Sequence, residues 1–121
     1  MNWVKEAEYE LKNQSNRIKA TENIKIRLDA LSKVSSSPEI LQKQLDLYNQ
    51  LEALNKLTDL CDKTLNMLSP LEKEVLLEFY VLPHKDHIDY ICSQHAIEKS
   101  TVYRIKNSAL KSFSTIMFGS C

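Results

Sequence analysis

One glycine among 121 residues constrains this chain more than any motif in it. Tight β-hairpin turns, dinucleotide-binding turns and phosphate-cradling loops all rely on glycine for positive φ or for close backbone approach. A chain with a single glycine and three prolines cannot supply them, so turn-rich β folds, Rossmann turns and Walker-type loops are excluded and an all-α fold is expected. The balance of 43% hydrophobic and 26% charged residues is that of a soluble globular protein, which fits one compact unit or a small domain with a long helical appendage. No run of about 18 apolar residues is present and no signal peptide precedes the first helix, so a cytoplasmic location and no membrane partner are expected. Cys61, Cys92 and Cys121 are odd in number and irregularly spaced. They read as reduced thiols, with Cys61 and Cys92 buried.

Residues 1–68 read as a long antiparallel helical hairpin. From about Asn2 to Val34, the residues Trp3, Val4, Ala7, Leu11, Ile18, Leu28 and Leu31 recur at helical steps. The polar stretch Lys12 to Arg17 leaves this helix only a narrow packing stripe. Ser35-Ser36-Ser37-Pro38 breaks the pattern, with Ser37 suited to cap and Pro38 to the first helical position. The second helix is expected from Pro38 to Met67. Leu47, Leu51, Leu54, Thr58, Cys61, Leu65 and Leu68 alternate by four and three as a heptad seam, which Leu41, Leu45, Tyr48 and Leu57 widen. Such a rod is roughly 45 Å long.

Residues 69–121 read as a second, helix-turn-helix unit. Ser69-Pro70-Leu71-Glu72 carries a cap, a first-turn proline and a capping-box glutamate. The helix it opens holds Leu71, Val75, Leu76, Phe79 and Tyr80 and ends before Pro83. Asp86 is the expected N-cap of a short helix from His87 to His95. Ala96 to Glu98 make the turn, and a last helix runs from about Lys99 to Met117 with Val102, Ile105, Ala109 or Leu110, and Phe113 inward. The stretch Ile91 to Ile105 has the spacing of a DNA-binding helix-turn-helix, whose second helix lies in the major groove. The chain is formally neutral, yet Lys99 to Cys121 contains Lys99, Arg104, Lys106 and Lys111 and no carboxylate. A local basic face meets phosphates whatever the total charge. Arg104 is suited to a bidentate contact with guanine, Asn107 or Ser100 to adenine or phosphate, and Lys99, Lys106 and Lys111 to phosphate. Tyr103 is suited either to stack on a sugar or thymine methyl or to pack against the hairpin.

Together, Leu68 to Leu76, His87 to Ile91 and Ser100-Thr101-Val102-Tyr103-Arg104-Ile105-Lys106-Asn107-Ser108-Ala109-Leu110 resemble region 4 of bacterial sigma factors over about the last 50 residues. A lone unit of this type behind a helical half also resembles the ArpU/RinA class of late transcription regulators from phages of Gram-positive bacteria, and Trp3 to Glu8 add to that likeness. The resemblance implies specific binding to double-stranded DNA near a promoter, with RNA polymerase as a further partner, in the cytoplasm of a bacterial host. Carried over by position, the groove-facing residues fall on Lys99, Ser100, Tyr103 and Arg104, and a backbone contact falls on His87. With Thr101, Lys106, Asn107 and Lys111 these form the expected DNA-binding set. The sequence departs from the family at the turn, where Ala96 replaces glycine or aspartate. It departs again at the cap, where Glu98 replaces serine or threonine, and at Ser100, which replaces an acidic base reader. A changed base preference is therefore expected, as is an inability to melt a promoter alone.

His84, His87, Cys92 and His95 have ligand-like spacings, but the helix-turn-helix frame uses Cys92 at the helix crossing, so neither metal nor cofactor is expected. Cys92 beside a histidine lacks an oxyanion-forming loop, so no enzyme is expected. Operators are usually read by dimers. A homodimer through the N-terminal helices is expected, with Trp3, Leu47, Leu51 and Leu54 as its surface. The alternative reading is an adaptor that binds RNA polymerase or a sigma factor through the hairpin without reading DNA.

Overall fold

The computed structural model describes all residues, 1–121, and is all-helical. Its elements are α1 (Trp3–Ser32), α2 (Pro38–Asn66), α3 (Pro70–Leu76) running into a π-helical turn (Leu77–Val81), α4 (His87–His95) and α5 (Lys99–Phe118). No helix is long and apolar enough to cross a membrane.

Local chemistry explains most boundaries. Ser37 Oγ accepts from Ile40 N–H at 3.2 Å ahead of Pro38, which starts α2. At Ser69 both halves of the capping box are made: Ser69 Oγ accepts from Glu72 N–H at 3.3 Å, and Glu72 Oε1 accepts from Ser69 N–H at 3.2 Å. The one glycine ends α5. Gly119 has φ +76° and its N–H reaches Thr115 O at 2.8 Å, a left-handed C-cap that glycine adopts without strain. Asp86 departs from expectation. It precedes α4 but sits at φ 53°, ψ 47° and makes no side-chain cap bond, because a capping side chain needs an extended backbone at that position.

α1 and α2 pack antiparallel. Gln14 Nε2 donates to Thr58 O at 3.0 Å, while near the other end Ala30 and Leu31 lie beside Lys43 and Leu47. The larger core joins the open end of this pair to the C-terminal half: Ala7 and Leu11 of α1, Cys61 and Leu65 of α2, Leu76 and Val81, and Ala109, Leu110 and Phe113 of α5. It therefore draws on both sides of Leu68. A smaller core of Val75, Ile91 and Val102 holds α3, α4 and α5 together.

One member of the expected α1 stripe is displaced. Ile18 is exposed, and within the polar stretch before it Gln14 and Arg17 are buried while Lys12 and Asn16 face solvent. Arg17 takes the inward position because every guanidinium nitrogen is partnered, donating to Gln14 Oε1 at 2.8 and 3.1 Å, to Glu10 O at 3.0 Å and to Glu10 Oε2 at 3.1 Å. Gln14 in turn donates to Asp62 Oδ1 at 3.1 Å. Burying a charge is tolerable only when it is paired and hydrogen-bonded in this way. Cys61 lies against this network. Burial, ahead of the carboxylates of Asp62 and Glu10, pushes its thiol up to about 11 against the opposing pull of Arg17. Tyr80, in the π-helical turn, is likewise pushed up to about 12 by burial and then by Glu8 of α1. Cys92 is only half-buried, because it borders the small core without entering it.

Candidate nucleic-acid interface

The small core fixes two helices around a sharp turn. Ile91 on α4 and Val102 on α5 are fully buried, and Ile97 in the connection packs against them. The turn depends on Ala96, which adopts φ 52°, ψ 47°, with its N–H on Cys92 O. A left-handed alanine costs about 1 kcal/mol relative to glycine, and the packing around Ile91 and Ile97 holds it there.

Inward-facing Val102, Ala109, Leu110 and Phe113 define which side of α5 is free. Ser100, Tyr103, Arg104, Asn107, Ser108 and Lys111 are exposed on the other side. Neither Arg104 nor Lys111 has a carboxylate within salt-bridge distance. Lys99 is exposed, with its ammonium 3.7 Å from Asp89 on α4, an exposed pair that constrains it little. Thr101 is half-buried, at the edge of the free strip next to Ser108. Glu98 precedes α5 without making a side-chain cap bond, so the first N–H groups of α5 have no side-chain partner.

The remaining expected residues gather elsewhere. His87 and Tyr103 meet the ring of Phe79 edge to face, at centroid distances of 5.0 and 5.8 Å. The Lys106 ammonium lies 5.4 Å from the Phe79 centroid and 5.9 Å from that of Tyr103. Tyr103 therefore packs on the π-helical turn and not on the α1–α2 pair. The structure brings Ser100, Arg104, Asn107 and Lys111 onto one strip of α5, and Tyr103, Lys106 and His87 around Phe79.

Sequence reasoning missed what anchors α4. Glu78 is buried, accepts from the backbone N–H of His84 at 2.9 Å and pairs with the His84 ring. The His84 ring also stacks on Tyr90 of α4 at 4.3 Å. At the other end of α4, His95 Nε2 lies 2.6 Å from Glu74 Oε2 on α3. The histidines at ligand-like spacing thus point to separate partners, and no three histidine, cysteine, aspartate or glutamate side chains converge. Glu74 and His95 are 21 positions apart, and no local pattern marks such a pair.

Of the four residues expected to form an oligomer surface, Leu47, Leu51 and Leu54 are half-buried, with Leu47 beside Ala30 and Leu31 of α1 and Leu54 beside Arg17 and Ala20 of α1, and Trp3 packs on Phe118 at 5.1 Å between centroids. The most exposed large apolar residues of α2 are instead Leu41, Leu45 and Tyr48, each more than half exposed (56%, 54% and 58%) and on one helical stripe, with Leu57 and Leu60 also exposed further along the helix.

Comparison with protein-family models, curated proteins and solved structures finds no match to this chain.

Proposed function

We propose that this chain is a sequence-specific DNA-binding transcription regulator. In this reading α4, the Ala96 turn and α5 act as a helix-turn-helix, with α5 in the major groove. The resemblance to sigma region 4 and to the ArpU/RinA class points to a phage-type activator of neighbouring genes that works beside RNA polymerase. The observation that carries the reading is the free strip of α5. Ser100, Arg104, Asn107 and Lys111 share it, α5 contributes no carboxylate to it, and Glu72 of α3 borders it beside Arg104 without pairing, so that Arg104 and Lys111 have no salt-bridge partner within the chain. A planar guanidinium free to lie along a groove is suited to the O6 and N7 of guanine, and a lysine about two turns further on to a phosphate. The uncapped start of α5 is suited to a phosphate as well.

The two cations separate the roles. Arg104→Ala is expected to lower affinity for the selected duplex by about 1–3 kcal/mol and to relax preference at one position. Lys111→Ala is expected to weaken binding to every duplex alike. Fluorescence anisotropy on matched and base-substituted duplexes reads both, and equal losses on all sequences for both variants would count against base reading by Arg104.

The exposed Leu41, Leu45 and Tyr48 favour a protein partner for α2 as well. Under the DNA reading this partner is a second copy of the chain, which would double the number of bases read. Under the alternative reading it is RNA polymerase or a sigma factor, and α5 does not touch DNA. Leu45→Glu with sedimentation analysis tests the first: loss of a dimer supports it, and a monomeric wild-type chain that is retained by polymerase supports the second.

A further inference from the structure

We infer that Phe79 is a positioning residue for a DNA backbone contact, holding Lys106 and His87 where one phosphate would sit. The inference rests on the DNA-binding reading. It begins from a convergence that the pattern of α5 alone does not contain. One ring, half-buried against the small core, touches the first residue of α4 and two residues of α5. His87 and Tyr103 approach it edge-on, with interplanar angles of 74° and 71°. The Lys106 ammonium lies over it and, 5.9 Å away, over the ring of Tyr103.

Each part of this arrangement has a physical reason. The negative face of an aromatic ring attracts an ammonium, and two such faces restrict a four-carbon chain that would otherwise sample many rotamers. Lys106 has no carboxylate within salt-bridge distance, so its charge is held without being neutralised. The site lies where the start of α4 meets α5, and in a helix-turn-helix the helix preceding the reading helix crosses the DNA backbone. Phe79 reaches this place from the π-helical turn Leu77–Val81, whose extra residue re-aims the side chains that follow a regular helix. Phe79 itself need not touch DNA. It acts through Lys106, with Tyr103 as the second wall and His87 as the neighbouring donor.

The test uses the full chain and a double-mutant cycle of Phe79→Leu and Lys106→Met, read on matched and scrambled duplexes across a salt series. Phe79→Met, which fills the site without a π face, replaces Phe79→Leu if leucine prevents folding. Each single variant is expected to lose about five-fold in affinity on both duplexes, and the salt slope to fall by about one. The double variant is expected to lose no more than the weaker-binding single variant, and Phe79→Trp to keep wild-type affinity. In the free protein, ring-current shifts of the Lys106 ε-methylene protons are expected in wild type and lost in the leucine or methionine variant. Losses that multiply in the double variant, an unchanged salt slope, or wild-type affinity without the ring would overturn the role of Phe79 and leave the DNA reading intact. A wild-type chain that binds no duplex would remove the DNA reading and this role with it.

Discussion

The two ends of the α1–α2 pair are written in the same residue alphabet and are packed differently. At the end that meets α5, Leu11, Cys61 and Leu65 are essentially inaccessible, because Leu110 and Phe113 close over them. At the Ser35–Ser37 end the seam keeps only Ile24 and Leu28 below a tenth exposed, while Leu41, Leu45 and Tyr48 stand in solvent. Between them lies the polar belt of Glu10, Gln14, Arg17 and Asp62. Two helices alone bury one face each, and a third element is needed to enclose a leucine. The heptad seam therefore says that α2 has a partner but not how completely each leucine is covered. The stable end roots the α5 unit, and the other end is left available for contact.

The largest expected effect sharpens this contrast. Leu11→Ala is expected to cost about 4 kcal/mol and Leu28→Ala about 2 kcal/mol in denaturant unfolding, since a cavity closed on all sides cannot collapse. Equal costs would mean that the distal end is covered in solution, as a dimer through Leu41, Leu45 and Tyr48 would cover it. The next effect concerns the belt. Arg17→Met removes four hydrogen bonds and strands Gln14 Oε1, with an expected cost of about 3 kcal/mol. A neutral or stabilising result would show that an apolar side chain repacks there without loss.

Alkaline pH probes the buried end alone. The Cys61 thiol is raised from 9.0 to about 11 in the folded chain, chiefly by burial. A raised value favours the neutral form, so its stabilisation is complete below pH 9 and is lost as pH rises through 11. Stability is expected to fall by about 2 kcal/mol across that window from this group, with Tyr80 adding its own loss from pH 10 toward 12. Cys61→Ala should remove the first part of the slope, and an unchanged slope would contradict the burial argument. The smallest effect is at the turn. Ala96→Gly relieves a left-handed alanine and should raise stability by about 1 kcal/mol, seen as a higher melting temperature. A loss would mean that Ala96 is not left-handed in solution.

Much of the architecture was legible because it is written locally. Ser37-Pro38 and Ser69-Pro70-Leu71-Glu72 mark helix starts by their own chemistry, and the structure begins α2 and α3 at those prolines. His87 to His95 and the start at Lys99 followed from the turn between them, and Val102, Ala109, Leu110 and Phe113 from helical period. What was not legible depends on contacts distant in sequence. Arg17 displaced Ile18 from the seam because Glu10 and Gln14 satisfy it and Gln14 is tied to α2, and a hydrophobicity pattern scores such a residue as solvent-facing. Leu47, Leu51 and Leu54 looked available because their pattern is the same for a partner within the chain as for one outside it. Asp86 looked like a cap because composition does not reveal backbone hand. The strip on α5 was placed by period and charge, whereas Phe79 joined Tyr103, Lys106 and His87 through a π-helical turn that no residue pattern announced.

The most direct measurement is a binding isotherm of the full chain on a duplex enriched from a random pool, beside a scrambled duplex, at two salt concentrations. If α5 reads a groove, the enriched duplex binds more tightly at both, and affinity falls steeply with salt as phosphate-bound counterions are released. Equal affinity for both duplexes, or none at either salt, would contradict a sequence-reading α5 and leave the exposed stripe of α2 as the functional surface.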